Sequence, residues 1–124
     1  MPIKSVSVQM YLFPPLINET TNFMLDKKVL DITLLDVRGI TSLTDYFIIC
    51  TSESDPQTRA VFNHIKDGLS KKDVKPWKTE GEEYLRWVIM DYIHFVIHIF
   101  NPDSRDYYDF ERLWGDAIIT KIKK

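Results

Sequence analysis

The sequence predicts an α/β fold: a mixed sheet of about five strands with helices packed on it. Three observations carry that reading. The stretch Leu85–Phe100 is dense in β-branched and aromatic residues and too long for one ordinary strand, so it reads as a β-hairpin. Two earlier runs, Val29–Val37 and Tyr46–Thr51, have the same character, and the second is apolar on both faces, as a central strand is. Between them and the hairpin lies a capped amphipathic segment, the usual connection between strands of one sheet.

In chain order, residues 1–17 form an N-terminal arm, and residues 18–124 form a single domain. Val6–Leu12 alternates weakly and suits an added edge strand, and Pro14-Pro15 stops any regular element. Asn18-Glu19-Thr20-Thr21 supplies cap residues for a short helix to about Lys28. Val29–Val37 is the first strand, broken by Arg38-Gly39, and Thr44-Asp45 opens the second. Ser54-Asp55-Pro56-Gln57 is a helix start, with Ser54 as cap, Gln57 at the capping-box position and Pro56 in the first turn. Ala60, Val61, Ile65 and Leu69 follow at helical spacing, and the helix ends near Gly68–Lys72. A return strand near Trp77, at Val74–Lys78, is expected beside the earlier strands.

The hairpin arms are Leu85–Met90 and Phe95–Phe100, with a tight turn at Asp91–His94. Pairing Asp91 with His94 sets Met90 opposite Phe95 and Trp87 opposite His98. Alternation then puts Val88, Met90, Tyr92, Phe95, Ile97 and Ile99 on one apolar face. The other face carries Leu85, Trp87, Ile89, Asp91, His94, Val96, His98 and Phe100. A one-residue slip would exchange the faces. After Asn101-Pro102-Asp103, Ser104 caps a last helix with an apolar stripe at Tyr107, Phe110, Leu113, Trp114 and Ala117, ended by Gly115. Ile118–Ile122 is either a short edge strand or a tail.

Composition bounds the function. The 124 residues are 44% hydrophobic and 27% charged with a net charge of −2, ordinary for one globular domain with no strong field toward nucleic acid. Two lysine groups, Lys71, Lys72, Lys75 and Lys78 and then Lys121, Lys123 and Lys124, read as solvated surface and a frayed tail. Cys50 is the one cysteine, set in Phe47-Ile48-Ile49-Cys50, and reads as a buried small hydrophobe. No apolar run is long enough for a membrane span and the start lacks a signal-peptide pattern, so a cytoplasmic protein is expected.

Catalytic patterns are missing. His94 and His98 would share a metal on a helix, but on a strand they stand roughly 13 Å apart. The four glycines are scattered, so no phosphate-cradling loop is expected. No two aspartates are separated by a single residue, as a magnesium-holding Asp-x-Asp requires, and no Gly-x-Ser-x-Gly elbow occurs. Asp45, Glu80, Asp91 and Glu111 have no spacing that makes them converge. The positive signal is the mixed hairpin face, where Trp87, His98 and Phe100 have the character of a protein–protein hot spot. The same face is equally suited to being covered by one of the chain's own helices.

An ordered set of short segments adds a resemblance. Leu35-Asp36-Val37-Arg38, Leu43–Ile49, Glu80-Gly81, Trp87–Tyr92, Val96–Phe100 and Arg105–Trp114 together resemble the Iojap-like ribosomal silencing factors, over about Leu25 to Ala117. The resemblance implies a fold similar to nucleotidyltransferases without the catalytic carboxylates. It implies a non-enzymatic translation repressor without cofactor or metal. Such proteins bind the large ribosomal subunit at its fourteenth protein and sterically block joining of the small subunit when nutrients run short. The family's contact surface includes the tryptophan matching Trp87, with the positions matching Tyr92 and Phe100 beside it. With His98 on the same face and His94 where the family has an acid, the expected partner-binding set is Trp87, Tyr92, His94, His98 and Phe100. The family's usual Asp-x-Gly-Asp turn is here Asp91-Tyr92-Ile93-His94, and β-branched Ile93 resists positive φ. A homodimer through the aromatic face is a further expectation, and direct sequence-specific nucleic-acid binding or membrane binding is not expected. The alternative reading is a nucleotide-binding or nucleotidyl-transfer enzyme on the same fold.

Overall fold

The computed structural model describes residues 13–123 and, as backbone, residues 3–7. Among these, seven strands form one mixed sheet, two more than expected. The elements in order are β1 (Ile3–Ser7), α1 (Pro15–Asp26), β2 (Leu30–Asp36), β3 (Tyr46–Thr51), α2 (Asp55–Ser70) and β4 (Lys78–Glu80). They continue with β5 (Trp87–Asp91), β6 (Phe95–Phe100), α3 (Pro102–Tyr108), α4 (Phe110–Leu113) and β7 (Ile118–Lys123). The sheet order is β1-β7-β2-β3-β6-β5-β4.

The two additional strands are the segments the sequence left open. Ile118–Lys123 is an interior strand rather than an edge or a tail, antiparallel to β2 and parallel to β1. Lys121 and Lys123 therefore lie in the sheet, not in a frayed end. Ile3–Ser7 is the edge strand; the rest of the expected Val6–Leu12 strand, residues 8–12, lies outside the described residues. The prolines do not stop structure: Pro15 opens α1, where its missing N–H costs nothing. Asn18, Thr20 and Thr21 do not cap. Their side chains bond back to the carbonyls of Phe13, Leu16 and Asn18, satisfying polar groups buried in the helix interior.

Helix α2 begins as its sequence dictates. The Ser54 hydroxyl accepts from the Gln57 N–H at 3.2 Å. The Gln57 side chain accepts from the Glu53 N–H and donates to the Lys27 and Lys28 carbonyls, tying the start of α2 to the end of α1. The return strand is displaced from its expected place. Instead of lying beside β3, the chain crosses β6 and β5 and adds β4 at the far edge, antiparallel to β5. The hairpin claims the position next to β3 because Phe95–Phe100 is the more apolar partner, and it pairs in parallel with Tyr46–Thr51.

The hairpin register differs from the expected one by two residues: Asp91 pairs with Val96, Met90 with Ile97 and Trp87 with Phe100. A slip of two preserves side-chain parity, so the two faces survive. The turn is Tyr92–Phe95, closed by the Tyr92 N–H on the Phe95 carbonyl at 2.9 Å. Inside it Ile93 has φ 73°, and the His94 N–H reaches back to the Tyr92 carbonyl at 2.9 Å, a γ-turn that few β-branched residues adopt. The Asp91 carboxylate holds the Ile93 N–H at 2.8 Å and the Asp45 N–H holds the His94 carbonyl at 3.1 Å. These bonds impose the geometry that a glycine would supply freely.

Helices cover both faces of the sheet. Ile17 and Met24 of α1 and Val61, Ile65 and Leu69 of α2 pack with Ile48, Val88, Met90, Ile97 and Ile99 in the larger core. Cys50 is buried there, its thiol pushed up to about 12 by desolvation, so it is inert. Leu85 also turns into this core, not onto the mixed face, because φ 60° reverses the chain just before β5. The second core gathers Leu35, Val37, Phe47, Ile49, Phe100, Phe110 and Ala117 on the opposite face. The single last helix is in fact two. Asn101, not Ser104, caps α3 by accepting from the Ser104 N–H at 2.8 Å. Asp109, left-handed at φ 46°, breaks the helix and re-aims the chain so that Phe110 enters the core. The expected stripe is split accordingly: Tyr107 and Leu113 are 81% and 74% exposed.

Candidate functional site

The site is built at one end of the central strands, where β5 begins and β6 ends. Pairing of Trp87 with Phe100 sets the indole over the phenyl ring, stacked at 4.9 Å between centroids with 27° between planes. Two residue pairs further in, His98 lies on the same face. The indole Nε1–H donates to His98 Nδ1 at 2.9 Å. That bond requires an unprotonated Nδ1. Burial supplies it: His98 is 4% exposed, and desolvation pushes its imidazole down to about 3. Around it stand Phe47 at 5.3 Å, Phe100 at 6.1 Å and Phe110 at 4.3 Å. The imidazole is thus a neutral hydrogen-bond acceptor inside an aromatic shell, and its task is to fix the indole.

The outer side of Trp87 remains partly open. Tyr108 of α3 lies against it at 4.9 Å, and a cleft of about 670 Å³ is lined by Tyr84, Arg86, Trp87, Asn101, Tyr107 and Tyr108. Gly81 closes its floor at φ 87°, where any Cβ would collide with the Trp87 carbonyl oxygen. An aromatic concavity with a few polar groups, one tryptophan edge held by a buried partner, is a surface suited to another macromolecule.

The five expected contact residues do not form one patch. Trp87, His98 and Phe100 come together, but only Trp87 reaches the surface; Phe100 is fully buried and His98 nearly so, both as its support. Tyr92 and His94 lie at the opposite end of the hairpin, beside a different cleft, with Tyr92 buried and His94 exposed. Tyr84, Tyr107 and Tyr108 complete the Trp87 cleft and were missed. The Tyr107-Tyr108 doublet carried the signal, but a continuous helix would have turned Tyr107 inward. Asp45, Glu80, Asp91 and Glu111 do not assemble a site. Among the described residues no three His, Cys, Asp or Glu side chains gather to hold a metal, and Glu111 is instead paired with Arg105 at 2.8 Å.

Comparison with known proteins identifies the group to which this architecture belongs. The sequence pattern of the family described as "Ribosomal silencing factor during starvation" matches residues 13–124. The chain belongs to the ribosomal silencing factor family. It is similar to Ribosomal silencing factor RsfS of Bacillus subtilis (strain 168), with 44% identity over 97 residues, 78% of this chain and 82% of the relative. It is also similar to the chloroplastic protein Iojap of Arabidopsis thaliana, 34% identical over 78% of this chain and 40% of that longer protein. Among solved structures, a Chromobacterium violaceum protein superposes with a TM-score of 0.78 at 35% identity, covering 81% of this chain and 83% of its own. One from Bacillus halodurans superposes with a TM-score of 0.74 at 30% identity, covering 88% and 97%. The silencing-factor relatives carry the names of regulatory proteins rather than enzymes, and the chain is placed with them as a non-enzyme. No helix among the described residues is long and apolar enough to cross a membrane.

Proposed function

We propose that this protein represses translation by docking on the large ribosomal subunit, at its fourteenth protein, and sterically preventing the small subunit from joining when nutrients are short. The observation that supports this reading is the Trp87 cleft: a partly exposed indole fixed from behind by a neutral histidine in a member of the silencing-factor family. Of the expected contact set, Trp87 makes the direct contact and His98 and Phe100 hold it, while Tyr92 and His94, at the other end of the hairpin, lie outside this surface. Docking requires no cofactor, and it places the protein in the cytoplasm with the ribosomes it binds.

The test is co-sedimentation of the purified protein with isolated large subunits, with small subunits as control. Wild type is expected to pellet with large subunits alone. Trp87→Ala is expected to weaken binding by about 30-fold or more, the scale of a central aromatic hot spot. Because that variant also strips a partner from His98, Tyr108→Ala serves as a second probe; its ring is half exposed and its loss leaves the core intact. Undiminished pelleting of both variants would remove the cleft from the reading. Failure of wild type to pellet would remove the function. Sedimentation velocity of the free protein reads whether two copies pair through the same face.

A further inference from the structure

The opposite end of the sheet carries a second surface that the docking reading leaves unused. A cleft of about 590 Å³ opens between the start of α1 and the first residues of β3 and β6. Its walls are apolar and aromatic: Pro14, Pro15, Tyr46, Val74, Tyr92 and Phe95. The Tyr92 and Phe95 rings lie nearly parallel, 5.0 Å apart with 12° between planes. The Tyr92 hydroxyl is buried and has no hydrogen-bond partner among the described residues. Asp45, Asp73 and His94 add polar groups at the rim.

Lysines and an exposed indole lie beside this cleft. Lys75 lines it, and two residues on, Trp77 stands 65% exposed. The Trp77 backbone N–H donates to the Asp91 carbonyl at 2.7 Å, which places the Trp77 backbone beside the strand that leads into the turn carrying Tyr92. Lys78 lies over the indole with Nζ 5.1 Å from the ring centroid and 3.9 Å from the Glu80 carboxylate. Lys71 and Lys72 follow α2 on the same connection; Lys72 is shared with Glu19 at 3.1 Å. An exposed indole between lysines, next to an apolar slot whose hydroxyl is unpaired among the described residues, suits an unstacked nucleotide chain. Bases stack on the rings, phosphates meet the ammonium groups, and a base edge satisfies the hydroxyl. The carboxylates of Asp45 and Asp73 repel phosphate from the slot and accept from exocyclic amino groups, which favours a base there over a phosphate.

We propose that this end of the sheet binds single-stranded RNA, with one base in the cleft against Tyr92, a neighbouring base on Trp77, and the backbone along Lys75 and Lys78. Recognition is sequence-tolerant, because stacking accepts any base. The site is separate from the Trp87 cleft and does not depend on it.

The experiment is fluorescence anisotropy of the full chain with a fluorescein-labelled single-stranded RNA dodecamer of mixed sequence, at about 50 and about 200 mM KCl. Comparators are the same RNA as a duplex and phosphatidylglycerol vesicles. Wild type should bind the single strand in preference to both, more weakly at higher salt. Trp77→Ala, at an exposed position, should weaken binding about 10-fold. Lys75→Glu with Lys78→Glu should weaken it and flatten the salt dependence. Tyr92→Phe, which keeps the ring stack, should weaken it severalfold with the salt dependence unchanged. No binding at low salt, or equal binding of duplex or vesicles, overturns the proposal. So does full affinity in both Trp77→Ala and Tyr92→Phe, since lysines alone would then be attracting any polyanion. No ribosome is used and Trp87 is untouched, so failure here leaves the docking reading standing.

Discussion

His98 makes stability pH-dependent in a way that can be isolated. In the folded protein its imidazole is pushed down to about 3, against an ordinary 6.5, by burial among Phe47, Phe100 and Phe110. The unfolded chain therefore takes up a proton first as pH falls. The contribution to stability is complete above the unfolded value near 6.5 and is lost progressively as pH drops toward 3. Between pH 7 and pH 5 the unfolded imidazole protonates almost fully and the folded one hardly at all, a loss of about 2 kcal/mol. His98→Gln removes the titration and keeps a carbonyl oxygen to accept from the Trp87 indole. Contributions common to both proteins cancel in the difference. Urea unfolding followed by tryptophan fluorescence at the two pH values measures it. Wild type should lose about 2 kcal/mol more than His98→Gln over this interval. Parallel pH dependence in the two proteins would refute the buried neutral imidazole.

Other perturbations follow from single positions. Ile93→Gly, at φ 73° and 54% exposed, should raise stability by about 1 kcal/mol in urea unfolding, because strain is relieved and little burial is lost. A lower midpoint would show that the γ-turn is not strained. Arg105 donates to the Asp31 carbonyl, the Thr51 and Thr33 hydroxyls and the Glu111 carboxylate. Arg105→Met should therefore cost about 3 kcal/mol, with part recovered by adding Glu111→Gln, which removes the stranded charge. No recovery in the double variant would mean that the ion pair is not the dominant contribution.

The parts of the fold that were legible are those where local chemistry decides. The Ser54–Gln57 cap, the β3 run and the two faces of the hairpin follow from nearest-neighbour pattern, and the faces survived a wrong register because a shift of two preserves parity. What was illegible depends on partners distant in sequence. Ile118–Lys123 looks marginal alone and becomes an interior strand only because β2 presents a free edge to it. The strand after α2 moves to the far edge because the hairpin outcompetes it for β3. The break at Asp109 is held by Arg105, whose guanidinium bridges α3 to β2, β3 and Glu111, contacts no window of sequence displays.

The mixed face of the hairpin invited two readings, a docking surface or a face covered by the chain's own helix, and the geometry shows why pattern alone left them open. Cover and exposure divide along the length of the same strands. Phe110 closes over His98 and Phe100, so the middle of the face is core. Trp87, at the start of β5, lies at the margin of that cover, with one side stacked on Phe100 and the other toward the Tyr108 cleft. The residues share one composition because they form one continuous aromatic stack that runs from interior to surface. Such an anchor is preorganised: its indole is fixed by a stack and a hydrogen bond before any partner arrives, so binding need not supply the cost of ordering it. Under the proposed docking, disturbing His98 should weaken binding as removing Trp87 does. On that reading His98 and Phe100, buried behind the indole, should register in a binding assay without themselves reaching the surface.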